Sequence, residues 1–225
     1  MKLLIDTANI AEIKALYQIF RFDGVTTNPK LLSRMDGDPI GLLKEIRREI
    51  PKDAQLHVQV VSLKADDMIK EADYILEQVG GDTCIKVPVS GEGFKAIRIL
   101  ANRGIKVTAT AVFNQAQALL AAHEGASFAA PYIHRINNKG YGGVDTALEI
   151  HRALKAQQFD TELLAAAFEN TDQVSKILAG GAQSVTVAPD ILKEMLVNSM
   201  TEDAVKDFYH EFSQHFHQES LLETK

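Results

Sequence analysis

The chain has 225 residues, of which 46% are hydrophobic and 24% charged. These are globular proportions, and they exclude a disordered tail, a collagen and a simple coiled coil. With 24 basic against 30 acidic residues the formal net charge is −6, an unclustered acidic balance that argues against a general binder of nucleic acid or of acidic membranes. At roughly 100–200 residues per domain, the length allows one large domain or two small ones.

In chain order, the first predicted strand is 2–6, followed by a helix over 9–20 with Ile10, Ile13, Leu16, Tyr17 and Phe20 on one face. A strand at 24–27 leads to a helix over 39–50, striped by Ile40, Leu43, Ile46 and Ile50. Strand and helix then alternate at 56–61 and 64–79, 83–87 and 92–102, 106–111 and 114–124. Three further pairs are 128–132 and 144–157, 162–168 and 171–179, and 184–188 and 189–196. Asn114 and the pair Thr171–Asp172 offer N-cap chemistry, and Gly80, Gly104, Gly125 and Gly180 follow helices where a positive φ is needed. A last helix, 202–218, lies beyond the eighth unit.

Eight strand–helix units in an undivided chain predict an α/β fold: a (β/α)8 TIM barrel over 1–200, with an extra C-terminal helix in 201–225. An open doubly wound sheet shares the alternation, but eight strands and the missing GxGxxG after the first favour the barrel. The single cysteine, Cys84, excludes an intrachain disulfide and fits a reducing cytoplasm. Asp6 interrupts what would be the apolar core of a signal peptide, so no leader is expected. No apolar run approaches about 18–20 residues, so no membrane span is expected. His210, His215 and His217 read as solvated residues of a charged helix, and no HExxH-like motif points to a metal.

In a barrel strand alternate residues face the interior, and active sites gather at the carboxyl ends of the strands. The inward set here is polar: Asp6, then Thr26 with Thr27 and Asn28, His57 and Gln59, Lys86, Thr108 and Thr110, and Tyr132 followed by Arg135. The seventh and eighth strands supply mostly small apolar residues. Lys86, in Cys-Ile-Lys-Val-Pro, is the informative residue. Burial would disfavour its ammonium, and a neutral lysine amine attacks carbonyls to form a Schiff base. The competing readings are a lysine snorkelling out of the strand end or one paired with Asp6.

The other polar groups have plain readings as well. Thr108 suits packing, Gln59 could satisfy a buried backbone group, Asp6 could cap a helix, and His57 suits a hydrogen-bonded core histidine. The run Lys139-Gly-Tyr-Gly-Gly-Val-Asp before a helix reads either as a weak phosphate cradle or as a flexible lid.

Five segments in order carry a resemblance: Leu-Ile-Asp-Thr-Ala (4–8), Gly-Val-Thr-Thr-Asn-Pro (24–29), Ile-Lys-Val-Pro-Val (85–89), Thr-Ala-Val (110–112) and Ala-Pro-Tyr-Ile-His-Arg-Ile (130–136). They resemble the small transaldolase family, in its fructose-6-phosphate aldolase-like branch, over essentially the whole chain. The resemblance implies a (β/α)8 barrel with Lys86 as Schiff-base lysine and no cofactor. It further implies Asp6 for substrate hydroxyls and proton transfer, and Thr26 and Asn28 for the donor. Gln59, Thr110 and Tyr132 would hold a catalytic water, and Arg135 the substrate phosphate. Transaldolases typically carry Glu, Ser and Phe where this chain has Gln59, Ala130 and Tyr132, so the chain falls on the aldolase side. The implied reaction is reversible cleavage of a ketose or ketose phosphate, such as fructose 6-phosphate, into a dihydroxyacetone-like ketone and an aldehyde. Transaldolase transfer, or a binding relative without turnover, are the alternatives.

One departure stands out. The family usually has Ser, then Arg or Lys two residues on, after the seventh strand; here these are Ala167 and Glu169. A lost hydroxyl and a reversed charge would weaken phosphate recognition, unless Glu169 points away and Arg135 suffices. On the terminal helix Val205, Phe208, Phe212 and Phe216 form a stripe. It would cover the chain's own barrel or, as the resemblance implies, a neighbour in a homo-oligomer, often a decamer of two pentameric rings.

Overall fold

The computed structural model describes residues 1–222; residues 223–225 of the expected terminal unit lie outside the described residues. The first half of the chain contains β1 (Lys2–Asp6), α1 (Ile10–Tyr17), β2 (Gly24–Thr26), α2 (Pro29–Leu32), α3 (Pro39–Glu49), β3 (Gln55–Gln59), α4 (Ala65–Val79), β4 (Thr83–Pro88) and α5 (Gly91–Asn102). The second half contains β5 (Val107–Val112), α6 (Gln115–His123), β6 (Phe128–Pro131), α7 (Ile133–Asn137), α8 (Gly143–Ala156), β7 (Glu162–Ala165), α9 (Thr171–Ala179), β8 (Ser184–Val187), α10 (Pro189–Leu196) and α11 (Ser199–Phe216). All strands run parallel and close on themselves in the order β1 to β8. The (β/α)8 barrel is therefore present, and the open sheet is excluded.

Two apolar layers hold the barrel. Outward residues such as Ile5, Val58, Ile85, Val87 and Val185 are buried against helix residues including Ile13, Leu43, Ile46, Ile97, Ile150 and Ile177. Each such side chain contributes about 1.5–3 kcal/mol when fully buried. Inside, Leu4, Cys84, Phe128, Ala130 and Leu164 form a separate small plug. Burial pushes the Cys84 thiol up to about 12, so it stays protonated and inert. At the amino-terminal mouth Lys2 and Glu162 lie 2.7 Å apart, with the Lys2 ammonium 5.3 Å from the centroid of the Phe128 ring. The register keeps inward residues level across strands: Asp6 beside Thr26, Gln59 beside Lys86, Lys86 beside Thr108.

Several boundaries differ from the sequence reading, each for a local reason. β7 ends at Ala165 because Ala167 turns left-handed, at φ 56°. β5 reaches Val112 only through a register shift after Ala109, where Ala111 also has φ 56°. The cap of α9 is Asn170, whose side chain accepts from the Gln173 amide; Thr171 and Asp172 lie within the first turn. Gly80, Gly104 and Gly125 have positive φ, but Gly180 does not, and Gly181 takes that role at φ 86°. Gly180 instead packs against Leu148, whose side chain would have to shift to admit a Cβ.

His57 is fully buried, with Nδ1 2.8 Å from the Thr108 hydroxyl and Nε2 3.3 Å from the Gln55 side-chain oxygen. It is the hydrogen-bonded core histidine that the sequence suggested. Burial first, then the charges of Lys86, Lys2 and Lys106, push it down to about 3 from 6.5. The unfolded chain therefore takes up a proton near pH 6.5 that the folded chain refuses until about pH 3. Stability from this group is complete above pH 6.5 and falls as the pH drops toward 3, by about 1.4 kcal/mol per unit. In urea titrations between pH 7.5 and 4.5 the wild type is expected to lose about 2–3 kcal/mol that His57→Asn does not lose. Equal losses in the two proteins would refute this.

Candidate active site

The carboxyl ends of the strands open onto a cavity of about 440 Å³. Asp6, Thr26, Asn28, Gln59, Lys86, Thr110, Tyr132, Arg135 and Ala167 all line it. Positions distant in sequence, from Asp6 to Ala167, thus converge because alternate residues of neighbouring strands share one interior face and the segments after the strands close over it.

Lys86 is 5% exposed, so it does not snorkel. Its Nζ donates to the Thr27 carbonyl at 2.7 Å, and among the described ion pairs it has no link to Asp6. Thr27 is itself fixed, because both its amide (2.9 Å) and its hydroxyl (3.1 Å) donate to the His57 carbonyl. Asp6 caps nothing; the N-cap of α1 is Asn9. The Asp6 carboxylate accepts from the Thr26 hydroxyl at 2.6 Å, and Thr26 in turn accepts from Thr186 at 2.7 Å. A carboxylate can only accept, which sets the direction of this chain. Asn28 caps α2 by accepting from the Leu31 amide at 3.0 Å, which leaves its own amide group for the cavity.

The opposite wall is built by β5 to β7. The Tyr132 hydroxyl lies 2.8 Å from that of Thr110, and the Arg135 guanidinium sits 5.0 Å from the Tyr132 ring centroid. The segment after β6 is stitched to the segment after β7: Tyr132 bridges Ala166, the Ile133 amide donates to Ala166 and the His134 amide to Ala167. Ala130 lies below Tyr132 in the same lining.

Glu169 is placed elsewhere. It does not line the cavity, is half exposed, and its carboxylate lies 3.1 Å from Nδ1 of His134. In the glycine-rich run one amide is already engaged. The Gly143 amide donates to Asn137 at 2.7 Å, and a Cβ on Gly143 would lie 2.3 Å from the Ile133 carbonyl oxygen. These glycines let α8 start close against α7. Lys139 and Tyr141 help form a neighbouring groove of about 890 Å³ that shares Arg135.

The structure adds lining residues that the sequence reading passed over: Thr186, Ala111, Leu164 and Ala166, and two cations, Lys30 and Arg34. Thr186 was signalled by the alternation of Ser-Val-Thr-Val, in which Ser184 and Thr186 share a parity. Lys30 and Arg34 follow Asn28-Pro29, a helix start with cap and N1 proline. The charged lining is Lys30, Arg34, Lys86 and Arg135 against Asp6 alone. A chain of net charge −6 therefore presents a cationic cavity.

A buried amine and a carboxylate lining one cavity, together with a tyrosine bonded to a threonine, can form an imine with a carbonyl compound and move protons around it. The family model described as transaldolase/fructose-6-phosphate aldolase matches residues 3–225. The chain is 35% identical over 208 residues to a protein of Thermodesulfovibrio yellowstonii named "probable transaldolase", covering 92% of this chain and 96% of that one. It is 36% identical, with the same coverage, to a protein of Alkaliphilus metalliredigens also named "probable transaldolase". A crystal structure of a Pediococcus acidilactici lactate oxidase shares the fold at TM-score 0.60 with 13% identity, covering 83% of this chain and 62% of that one.

The left-handed Ala167 has a measurable consequence. A Cβ costs roughly 1–2 kcal/mol in this conformation, and branching adds to it. Ala167→Val is expected to lower unfolding stability by about 2 kcal/mol, while Ala167→Gly stays within about 0.5. Equal stability of the valine variant and wild type in chemical denaturation would contradict the assignment.

Proposed function

We propose that this chain, which belongs to the transaldolase/fructose-6-phosphate aldolase family, is a class I aldolase that cleaves and forms ketoses through a Schiff base on Lys86. The observation that carries the reading is a 5% exposed lysine whose Nζ reaches a cavity lined by Asp6 and the Thr110–Tyr132 pair. The Lys86 amine adds to the C2 carbonyl of a ketose. Loss of water gives an iminium, an electron sink for the pair released when C3–C4 breaks. Tyr132, hydrogen-bonded to Thr110, takes the C4 hydroxyl proton directly or through a water beside Gln59, and the aldehyde leaves. The remaining enamine is protonated at C3, and hydrolysis frees the ketone and the lysine. Asp6 orients substrate hydroxyls and relays protons; Thr26 and Asn28 hold the donor. The steps need no metal or organic cofactor.

Gln59, Ala130 and Tyr132 support release of the ketone over transfer to a second aldehyde. The names of the relatives favour the second reading, a transaldolase. A coupled assay with a ketose phosphate and an acceptor aldehyde separates the two: transfer without dihydroxyacetone release would establish the transaldolase. Phosphorylated substrates remain within reach, since Arg135 lines the cavity and Glu169 turns to His134. Borohydride reduction in the presence of donor is expected to leave a mass adduct on Lys86. Lys86→Met should lose the adduct and at least about 10³-fold in cleavage rate. Undiminished cleavage in that variant would sink the mechanism.

The site sits in a cytoplasmic homo-oligomer on this reading. No residue of α11 is buried, and Met200, Val205, Phe208, Tyr209 and Phe216 are exposed on it. A second copy is the natural cover for such a face. Truncation after Met200 is expected to give monomers by light scattering, and an unchanged size would count against that role.

A further inference from the structure

We propose that His134 is a positioning residue for phosphate recognition. It holds the Glu169 carboxylate off the Arg135 guanidinium, which keeps that guanidinium free for a phosphate on the aldehyde half of the ketose. The inference rests on the reading above, in which Arg135 takes that phosphate. Its basis is a pair of side chains across the joint between the segments after β6 and β7. Nδ1 of His134 and the Glu169 carboxylate are 3.1 Å apart. Nε2 of the same ring lies 3.0 Å from Nδ2 of Asn138, one helical turn on. An amide nitrogen only donates, so Nε2 accepts and the ring proton sits on Nδ1, the nitrogen near Glu169. Nδ1 is shielded from solvent and has no aligned hydrogen bond, so the nearby carboxylate is the group that compensates it.

The backbone sets the two partners against each other. The His134 amide donates to the Ala167 carbonyl at 2.8 Å. The Glu169 amide donates to the Gln173 side chain at 2.9 Å, beside the Asn170 cap of α9. None of these bonds uses the imidazole or the carboxylate, so the frame survives when either side chain is replaced. With the side chains 38% and 54% exposed, the pair itself adds little to stability. Its weight lies in where it puts a negative charge. The next residue, Arg135, lines the cavity together with Ala167, and its guanidinium is 5.0 Å from the Tyr132 ring centroid. Among the described residues Arg135 is in no ion pair. Consecutive Cα atoms are about 3.8 Å apart, so a carboxylate touching residue 134 is within side-chain reach of residue 135. A guanidinium grips carboxylate and phosphate with the same fork, so a released Glu169 competes with the substrate for Arg135.

The test is aldol addition of dihydroxyacetone to glyceraldehyde 3-phosphate and to glyceraldehyde, with KM for each aldehyde as readout. His134→Ala is expected to raise KM for the phosphorylated aldehyde about three- to fivefold, the competition that one half-exposed ion pair exerts. It should leave kcat, and KM for glyceraldehyde, as in the wild type. His134→Ala/Glu169→Gln removes the competing charge and should restore the wild-type KM. An unchanged KM in His134→Ala would overturn the proposal. So would a loss on both aldehydes, or one that Glu169→Gln does not restore, since His134 would then be a structural residue only. Arg135→Ala separates this from the reading beneath it, and should raise KM for the phosphorylated aldehyde alone. If Arg135→Ala is indifferent to the phosphate, Arg135 is not the anchor and both fall. If it is selective while His134→Ala is silent, only the proposal falls. No addition to either aldehyde by the wild type overturns the aldolase reading and this proposal together.

Discussion

The cavity depends on keeping a lysine amine buried inside the barrel. The hydrogen bond from Lys86 to the Thr27 carbonyl is what holds that amine in place. That carbonyl is rigid because Thr27 is tied twice to the backbone of β3 at His57. His57 is held in turn by Thr108, a neighbour of Lys86 in the register. The polar layer is thus a closed set of satisfied pairs above the Leu4–Phe128–Leu164 plug. It meets the rule that buried polar groups need partners without tying the Lys86 nitrogen into an ion pair. His57 stays neutral beneath it, chiefly because burial disfavours the charged imidazolium.

The charge of the molecule is divided between outside and inside. Acidic residues exceed basic ones over the whole chain, yet the cavity lining has four bases and one acid. A concave, low-dielectric wall concentrates such a field, so an anion is drawn to the mouth of a protein whose total charge would repel it. Composition alone reported only the outer balance.

Much of this was legible in the sequence because strand side chains alternate with a period of two. Asp6, Gln59, Lys86 and Thr110 could be assigned to one interior before any coordinate was known, and barrel closure brings them together. The misses have physical causes. Helices α2 and α7 are only four and five residues long, too short to show a periodic stripe, so Lys30 and Arg34 went unplaced. Ala111 and Ala167 adopt a conformation for which glycine is the usual signal, and alanine gives none. The turn at Ala167 re-aims the chain, which is why Glu169 could not be positioned by counting along β7. Thr186 was readable from its parity and was passed over for its small size.

The stitching between the segments after β6 and β7 has a consequence for how the site can vary. Tyr132 bridges Ala166, and the amides of Ile133 and His134 are held by the carbonyls of Ala166 and Ala167. Tyr132, Arg135 three residues on, and Ala167 of the adjacent loop are therefore one mechanical panel. Substitutions at 132 and 167 act on a shared backbone, so their effects are not additive. A path of single changes that improves each position separately does not lead to the best pair. Variation in this wall is expected to be paired, with 132 and 167 changing in concert.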